Sequence, residues 1–270
     1  MRSRSMHLYL SILVSLTLAV LIALLLEYTG LASFKAQELT GLAQIYLAHV
    51  AYPGSPWTSM STEVVTSVIW DQRGFDTYFE TSVLFLAIAA SLLVLEKTGS
   101  ATRLSDAGGE VTVIVRTVVK PVVLIVAVVS VSVALHGHLT PGGGFQGGSI
   151  FVIAPLLVLL ALGISPLYKA GFTPRKLLGV RALAVTLIFV LGVIPLAYSI
   201  VSGGKAYLFQ NLAKPYSQFS FPALVETPMG PLLLSGTLFW LNFFEFLAVS
   251  SGFTLALIYL TREFEGGDAE

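Results

Sequence analysis

Apolar residues fill six long runs of this 270-residue chain, near Leu8–Leu26, Thr81–Leu95, Val111–Leu135, Phe145–Leu162, Leu183–Val201 and Leu232–Leu260. A helix rises about 1.5 Å per residue, so a run of this kind is long enough to cross the roughly 30 Å apolar layer of a bilayer. Inside lipid every backbone polar group must be satisfied internally, and for runs of this length helices do so most economically. The pattern therefore predicts an all-α membrane protein, a bundle of six transmembrane helices. The second run is short unless Phe79 and Glu80 also enter the membrane. The third is long, and its first part, carrying Arg116 and Lys120 ahead of Pro121, is expected at the interface. The first run follows Met1-Arg2-Ser3-Arg4 and imitates a secretory signal, but it is too long and no small-x-small cleavage site follows, so it reads as a retained anchor.

Three segments fall outside the runs. Residues 27–76 contain a turn signal, Pro53-Gly54-Ser55-Pro56, and partial helical periodicity from Ala36 to Val50. Residues 99–110 are polar, contain Gly108-Gly109, and suit a join between two modules. Residues 202–231 are rich in Pro, Gly and aromatics, and Tyr207, Phe209, Tyr216, Phe219 and Phe221 suit a belt at headgroup level. The spans show no internal repeat, which argues against an inverted-repeat transporter within this one chain.

Composition agrees with lipid as the main solvent: 55% of residues are hydrophobic and 11% charged, against about 25% charged in soluble domains. A net charge of zero leaves no basic field for nucleic acid. Cysteine is absent, which excludes disulfides, thiolate metal sites and cysteine nucleophiles within this sequence. The placement of Lys and Arg sets the expected orientation. Arg2, Arg4, Lys97, Arg103, Arg116, Lys120, Lys169, Arg175, Lys176, Arg181 and Arg262 fall on one side, and Lys35, Arg73, Lys205 and Lys214 on the other. Both termini are thus expected in the cytoplasm of a multi-pass cell-membrane protein.

Five places carry candidate chemistry. The loop His136-Gly137-His138-Leu139-Thr140-Pro141-Gly142-Gly143-Gly144-Phe145-Gln146-Gly147-Gly148 separates two spans on the outer side. Its glycines do not read as a phosphate cradle, because no Lys-Ser or Lys-Thr follows and the preceding run is helix-length. His136 and His138 could relay protons or bind a cation, or they could close a helix C-terminus by bonding its free carbonyls. Glu80 stands at the entry to the second span with Arg73, Asp76 and Thr77 on one helical face. It is either a protonatable carboxylate at the mouth of an ion path, tuned by Arg73 and Asp76, or part of a salt-bridged helix cap. Glu245 lies near the middle of the last run, with Asn242 one turn before it and Ser250, Ser251 and Gly252 after it. It is a proton carrier or a structural hydrogen-bonding group. Lys120, with Arg116, either snorkels to the headgroups or meets a neighbouring chain of a complex. No His-Glu-x-x-His element or other metal-ligand set is present, so no metal, cofactor or hydrolytic centre is expected.

Two motifs carry a resemblance. His136 to Gly148 is similar to the signature of the MnhB (MrpB) component of Mrp-type multisubunit Na+/H+ antiporters and of its counterpart in archaeal membrane-bound hydrogenases. Independently, Asp71-x-Arg73-Gly74-Phe75-Asp76-Thr77-x-x-Glu80-Thr81 resembles an element in the C-terminal part of MrpA, the large component of the same antiporters. Gln72 and Tyr78-Phe79 depart from that element. The resemblance implies a fusion, with residues 1–100 a two-span MrpA-like piece and residues 101–270 a four-span MnhB-like domain. It also implies that Glu80 is the membrane carboxylate of ion transport, and that Pro141 and Phe145 are important positions within a motif that includes Gly142, Gly143, Gly144, Gly147 and Gly148.

The expected protein is a non-catalytic membrane component of a cation/proton module within a respiratory complex such as a membrane-bound hydrogenase or sulfane reductase. Na+ and H+ are the ions implied, and the expected partners are other Mrp-type membrane subunits together with redox subunits. The competing reading is a scaffold that seals and bridges the subunits through which the ions move. The Gly-rich loop is expected to pack against the start of the second span, making the two pieces one unit.

Overall fold

The computed structural model describes residues 2–29, 39–50, 54–98, 111–228 and 230–260. Lys35, Arg103, Arg262 and the join at 99–110 lie outside the described residues. The chain forms two compact units, Met1–Gln44 and Ile45–Glu270. The first holds α1 (Arg2–Tyr28), one unbroken helix whose described side chains are all exposed.

α2 (Gly41–Ile45) and α3 (Val64–Thr66) each run into a π-helical turn, at Tyr46–Val50 and Ser67–Gln72. Then come α4 (Gly74–Thr98), α5 (Val113–Leu135), α6 (Gly144–Phe151), α7 (Ile153–Leu162), α8 (Ser165–Lys169), α9 (Pro174–Ser202), β1 (Leu224–Thr227), β2 (Gly230–Leu233) and α10 (Leu238–Leu260). Among the described residues, five helical stretches are long and apolar enough to cross a membrane: Gly74–Val94, Val113–Leu135, Gly144–Leu162, Pro174–Ser202 and Leu238–Leu260. The protein is an all-α, multi-pass membrane bundle.

The apolar runs and the helices differ at their ends for local reasons. α4 starts at Gly74 and so includes Phe79 and Glu80. α5 passes through Pro121 unbroken, and Lys120 is exposed on its surface. The fourth span breaks at Val152 into α6 and α7, because Pro155 has no amide to offer the Phe151 carbonyl one turn earlier. α9 begins at Pro174, well before Leu183, since a proline at the first helical position favours a helix start that hydropathy does not register. Leu232 and Leu233 are not helical. They form β2 of an antiparallel hairpin in which Leu224 pairs with Leu233 and Thr227 with Gly230, and the last helix starts only at Leu238.

α10 is the hub. Over half of its membrane-crossing window, 56%, is buried, against 11% for α4, and α9, α6, α4 and α5 all pack on it. One end of the bundle is closed by Leu159, Ile164, Leu167, Leu177, Leu255 and Ile258. At the other end, here called the loop face, Trp70, Ile188, Phe209, Leu238 and Leu241 pack together. Phe209 is the wedge of this second cluster. It sits at φ 58°, its amide donates to Gly192 O at 2.9 Å, and a Cβ on Gly74 would lie 2.6 Å from Phe209 Cβ. Glycine at 74 and 192 thus lets one aromatic ring enter between α4 and α9.

Candidate functional site

The Gly-rich loop and the first turns of α6 form a receptacle for one face of α10. Gly142 and Gly143 have φ of 153° and 146°, values that side chains beyond glycine rarely adopt. The remaining glycines are needed for close approach. A Cβ on Gly137 would stand 3.0 Å from Asn242 Nδ2, one on Gly144 2.6 Å from Glu245 Cβ, and one on Gly148 2.7 Å from Val249 Cβ. On the far side, a Cβ on Gly147 would meet Ser130 O of α5 at 2.6 Å. The motif thus works as a thin sheet of backbone pressed between α5 and α10.

Into that receptacle α10 places Asn242 and Glu245, which are 0% and 6% exposed. Asn242 Oδ1 accepts the Gly144 amide at 3.4 Å. The Glu245 carboxyl lies toward the amide of Phe145 and the indole N–H of Trp70, within electrostatic reach of Glu80. Trp70 Nε1 is itself buried with no partner inside ordinary hydrogen-bond geometry, so the carboxyl is the acceptor nearest to serving it. The amides here belong to the first turn of α6, where backbone N–H groups lack helical partners and the helix dipole favours a carboxylate.

Glu80 itself is exposed within this chain. Arg73 and Asp76 form an ion pair at the start of α4 with both side chains well exposed, while Thr77 turns inward and donates to Ile69 O at 2.6 Å.

The two histidines are separated in function by their partners. His136 is exposed and its Nδ1 lies 2.9 Å from Ser132 O, on the last turn of α5. His138 is 1% exposed; its Nε2 donates to Leu233 O at 2.8 Å, tying the loop to the hairpin. Burial holds the His138 pKa below the usual histidine value, with the Leu233 carbonyl opposing and His136 adding to the shift. Among the described residues no group of three or more His, Cys, Asp or Glu could hold a metal ion. Pro141 is an exposed turn residue. Phe145 stacks edge-on against Phe253 at 6.2 Å.

The loop also joins the residues leading into α4. Ser61 Oγ donates to His138 O at 2.6 Å, Thr62 Oγ1 to Leu139 O at 2.6 Å and Thr66 Oγ1 to Gly137 O at 2.7 Å. The contact is thus with residues 61–66, immediately ahead of α4.

Two basic residues that the sequence analysis assigned only to a side of the membrane are buried. Lys214 Nζ donates to Asp71 Oδ2 at 2.6 Å, with side-chain exposures of 6% and 0%, and also to Thr58 O at 2.8 Å and Trp57 O at 3.2 Å. Burial pushes the Asp71 carboxyl above its usual range, and the Lys214 ammonium only partly offsets this. Arg181, placed at the cytoplasmic surface by charge counting, is instead 2% exposed, with its guanidinium carbon 5.1 Å from the centre of the Phe85 ring. Helical spacing could have suggested this, since Arg181 falls on the same face of α9 as Leu177, Ala184 and Ile188, all buried.

Comparison with known proteins gives this geometry a family. An uncharacterized protein of Methanocaldococcus jannaschii is 29% identical over 239 residues, which is 83% of this chain and 82% of that one. A putative antiporter subunit mnhB2 of Staphylococcus haemolyticus is 34% identical over 117 residues, 42% of this chain and 73% of the relative. Among solved structures, a chain of the membrane-bound sulfane sulfur reductase, an archaeal respiratory membrane complex, matches with TM-score 0.63 and 24% identity, over 93% of this chain and 99% of that one. A chain of the Mrp complex from Dietzia matches with TM-score 0.61 and 19% identity, over 95% of this chain but 26% of the larger one. Both solved chains come from membrane complexes, and this protein shares their fold. A family model described as a domain related to the MnhB subunit of Na+/H+ antiporters matches residues 114–255, so the chain belongs to that family, whose matched region contains the entire Gly-rich receptacle and Glu245.

Proposed function

We propose that this protein is a membrane component of a cation/proton (Na+/H+) translocating module in an archaeal-type respiratory complex, where redox chemistry in other subunits drives the ions. In this reading residues 1–100 and 101–270 are two once-separate pieces, α1 is a sixth span, and both termini face the cytoplasm. The fold match to about a quarter of a larger Mrp chain favours such a joined arrangement. Glu245 and Glu80 are the groups that handle the ion. One carboxyl is enclosed in the bundle and the other stands at its surface, available to a neighbouring chain of the complex, so together they form a handover point.

The observation that carries this reading is the Glu245 carboxyl. It is buried, it is served by the α6 N-terminus that the glycines bring close, and it lies within reach of Glu80 from the other piece. Intramembrane ionisable groups are retained at a cost of about 2.5–3.5 kcal/mol near a helix centre, and their usual justification is transport. The histidines act here as anchors of the loop.

The test is sodium-dependent proton transport by the assembled complex carrying Glu80→Gln or Glu245→Gln. We expect each to cut transport at least ten-fold with the complex intact. If both variants assemble and transport normally, the protein is a scaffold and its neighbours carry the ions.

A further inference from the structure

The end of the bundle opposite the loop face carries an apolar cleft of about 320 Å³. Phe151, Phe172, Leu177, Val180, Phe246 and Leu247 line it. Three of the rings form one wall: Phe172 stacks on Phe151 with centroids 6.3 Å apart, and Phe151 meets Phe246 edge-on at 5.7 Å. Phe151 is the last residue of α6, at the break before α7, and Phe172 lies in the turn between α8 and α9. The wall thus leads from a turn at the end of the bundle to the middle third of α10. Ser250 and Ser251 also border the cleft, but their hydroxyls donate to Leu247 O at 3.4 and 2.5 Å, so both are engaged within their own helix.

The mouth of the cleft is basic. Ala170, Gly171 and Lys176 complete its lining. Gly171 has φ 91°, and a Cβ there would meet only Lys176 Nζ, at 3.7 Å, so the ammonium lies over this turn. Lys169 and Arg175, next in sequence to Ala170 and Lys176, are exposed as Lys176 is. None of the three has an acidic partner among the described residues, whose ion pairs are Arg73–Asp76 and Lys214–Asp71 on the loop face. Tyr168 is exposed beside Lys169, and an aromatic residue with a cation is usual where a span meets the headgroups. The apolar stretch of α9 starts at Pro174, which puts Lys176 at headgroup level. Val180, six residues into α9, lies about 9 Å farther along the axis.

We propose that the cleft binds one lipid with an anionic headgroup, its phosphate at Lys176 and an alkyl chain along the wall formed by Phe172, Phe151 and Phe246. Shape and charge together select this occupant. A helix of a neighbouring chain is about 10–12 Å across and finds no seat in so small a slot, whereas an alkyl chain is slender and gains close packing against the rings. A soluble anion would be met by Lys176 but would leave the apolar wall unused. Counting of Lys and Arg gives this end to the cytoplasm, and basic pockets between spans on that side are where phosphate headgroups are recognised. The inference does not rest on the transport reading, and it holds equally if the protein is a scaffold.

The experiment places the assembled complex in phosphatidylcholine vesicles with a trace of phosphatidylglycerol that carries a photoactivatable diazirine on its acyl chain. A parallel sample carries the diazirine on phosphatidylcholine. After illumination, peptide mass spectrometry locates the label. Phosphatidylglycerol should label Phe151, Phe172 and Phe246 in preference to phosphatidylcholine, by a larger ratio than on the rest of the chain. Lys176→Gln should lower that preference about five-fold, the worth of one basic residue near an anionic headgroup. Val180→Trp narrows the slot and should remove labelling there by either lipid. A cleft labelled in the ratio found elsewhere on the chain overturns the proposal, and this comparison needs no variant. A preference that Lys176→Gln leaves unchanged also overturns it. So does a cleft that stays unlabelled, which would mean that a neighbouring chain or residues 261–270 of this one occupy it. Loss of labelling to excess inorganic phosphate at constant ionic strength would identify a site for the free anion and overturn it too.

Discussion

Glu245 of α10 and Arg181 of α9, which meets α10 at Gly252, are both buried, yet the fold treats them in opposite ways. Glu245 is met by the Phe145 amide, the Trp70 indole and the positive end of α6, and the glycines of the loop bring that backbone within reach. Arg181 is met by a ring face and a gap at Gly252, with two of its nitrogens unserved. The contrast teaches that burial of a charge by itself says little. A carboxyl fitted with donors is part of the packing, whereas a cation left without acceptors persists only where something other than stability requires it. Lys214 gives the calibration between them: also buried, it has Asp71 and two carbonyls as acceptors.

The largest effect should follow from turning the paired case into the orphan case. Lys214→Met leaves Asp71 buried and unpaired, and thermal unfolding of the detergent-solubilised protein should show a loss of about 3–5 kcal/mol. Next comes the receptacle. Gly144→Ala puts a Cβ against Glu245 and should cost about 1–3 kcal/mol by overpacking, while Gly179→Ala, whose added Cβ meets nothing within 4 Å, should be neutral or slightly stabilising in the same measurement. The smallest effect should be at Arg181. If its guanidinium is an unserved charge, Arg181→Met keeps most of the volume and changes stability by no more than about 1 kcal/mol in either direction. A loss as large as that of Lys214→Met would break the comparison, because it would mean that Arg181 has a partner of equal worth.

Much of the chain's plan was legible as sequence. The long apolar runs sit at α1 and at the five long apolar helices of the described residues, the loop from His136 to Gly148 is a reversal, and the glycine motif pointed to the family. Element ends were not legible from hydropathy, since Pro174 and Pro155 mark an end and a break that the apolar runs do not register. Leu232 and Leu233 misled because apolar residues next to a span are the same whether they continue a helix or form the edge of a hairpin. Arg181 misled because counting basic residues assigns them to a side of the membrane and takes no account of the face of the helix they occupy.

Sequence by itself determined the solvent, the presence of several long apolar segments and the identity of the motif, since these depend on local composition and spacing. Which glycines serve conformation and which serve contact, which of two carboxyls is enclosed, and which lysine or arginine is paired were decided only by tertiary structure. Each depends on residues 71 to 143 positions apart, such as Gly137 with Thr66, Gly144 with Asn242 and Asp71 with Lys214. No local pattern encodes those meetings. They arise because α10 is buried at the centre of the bundle, and the polar groups it carries there take their partners from whichever helices close around it.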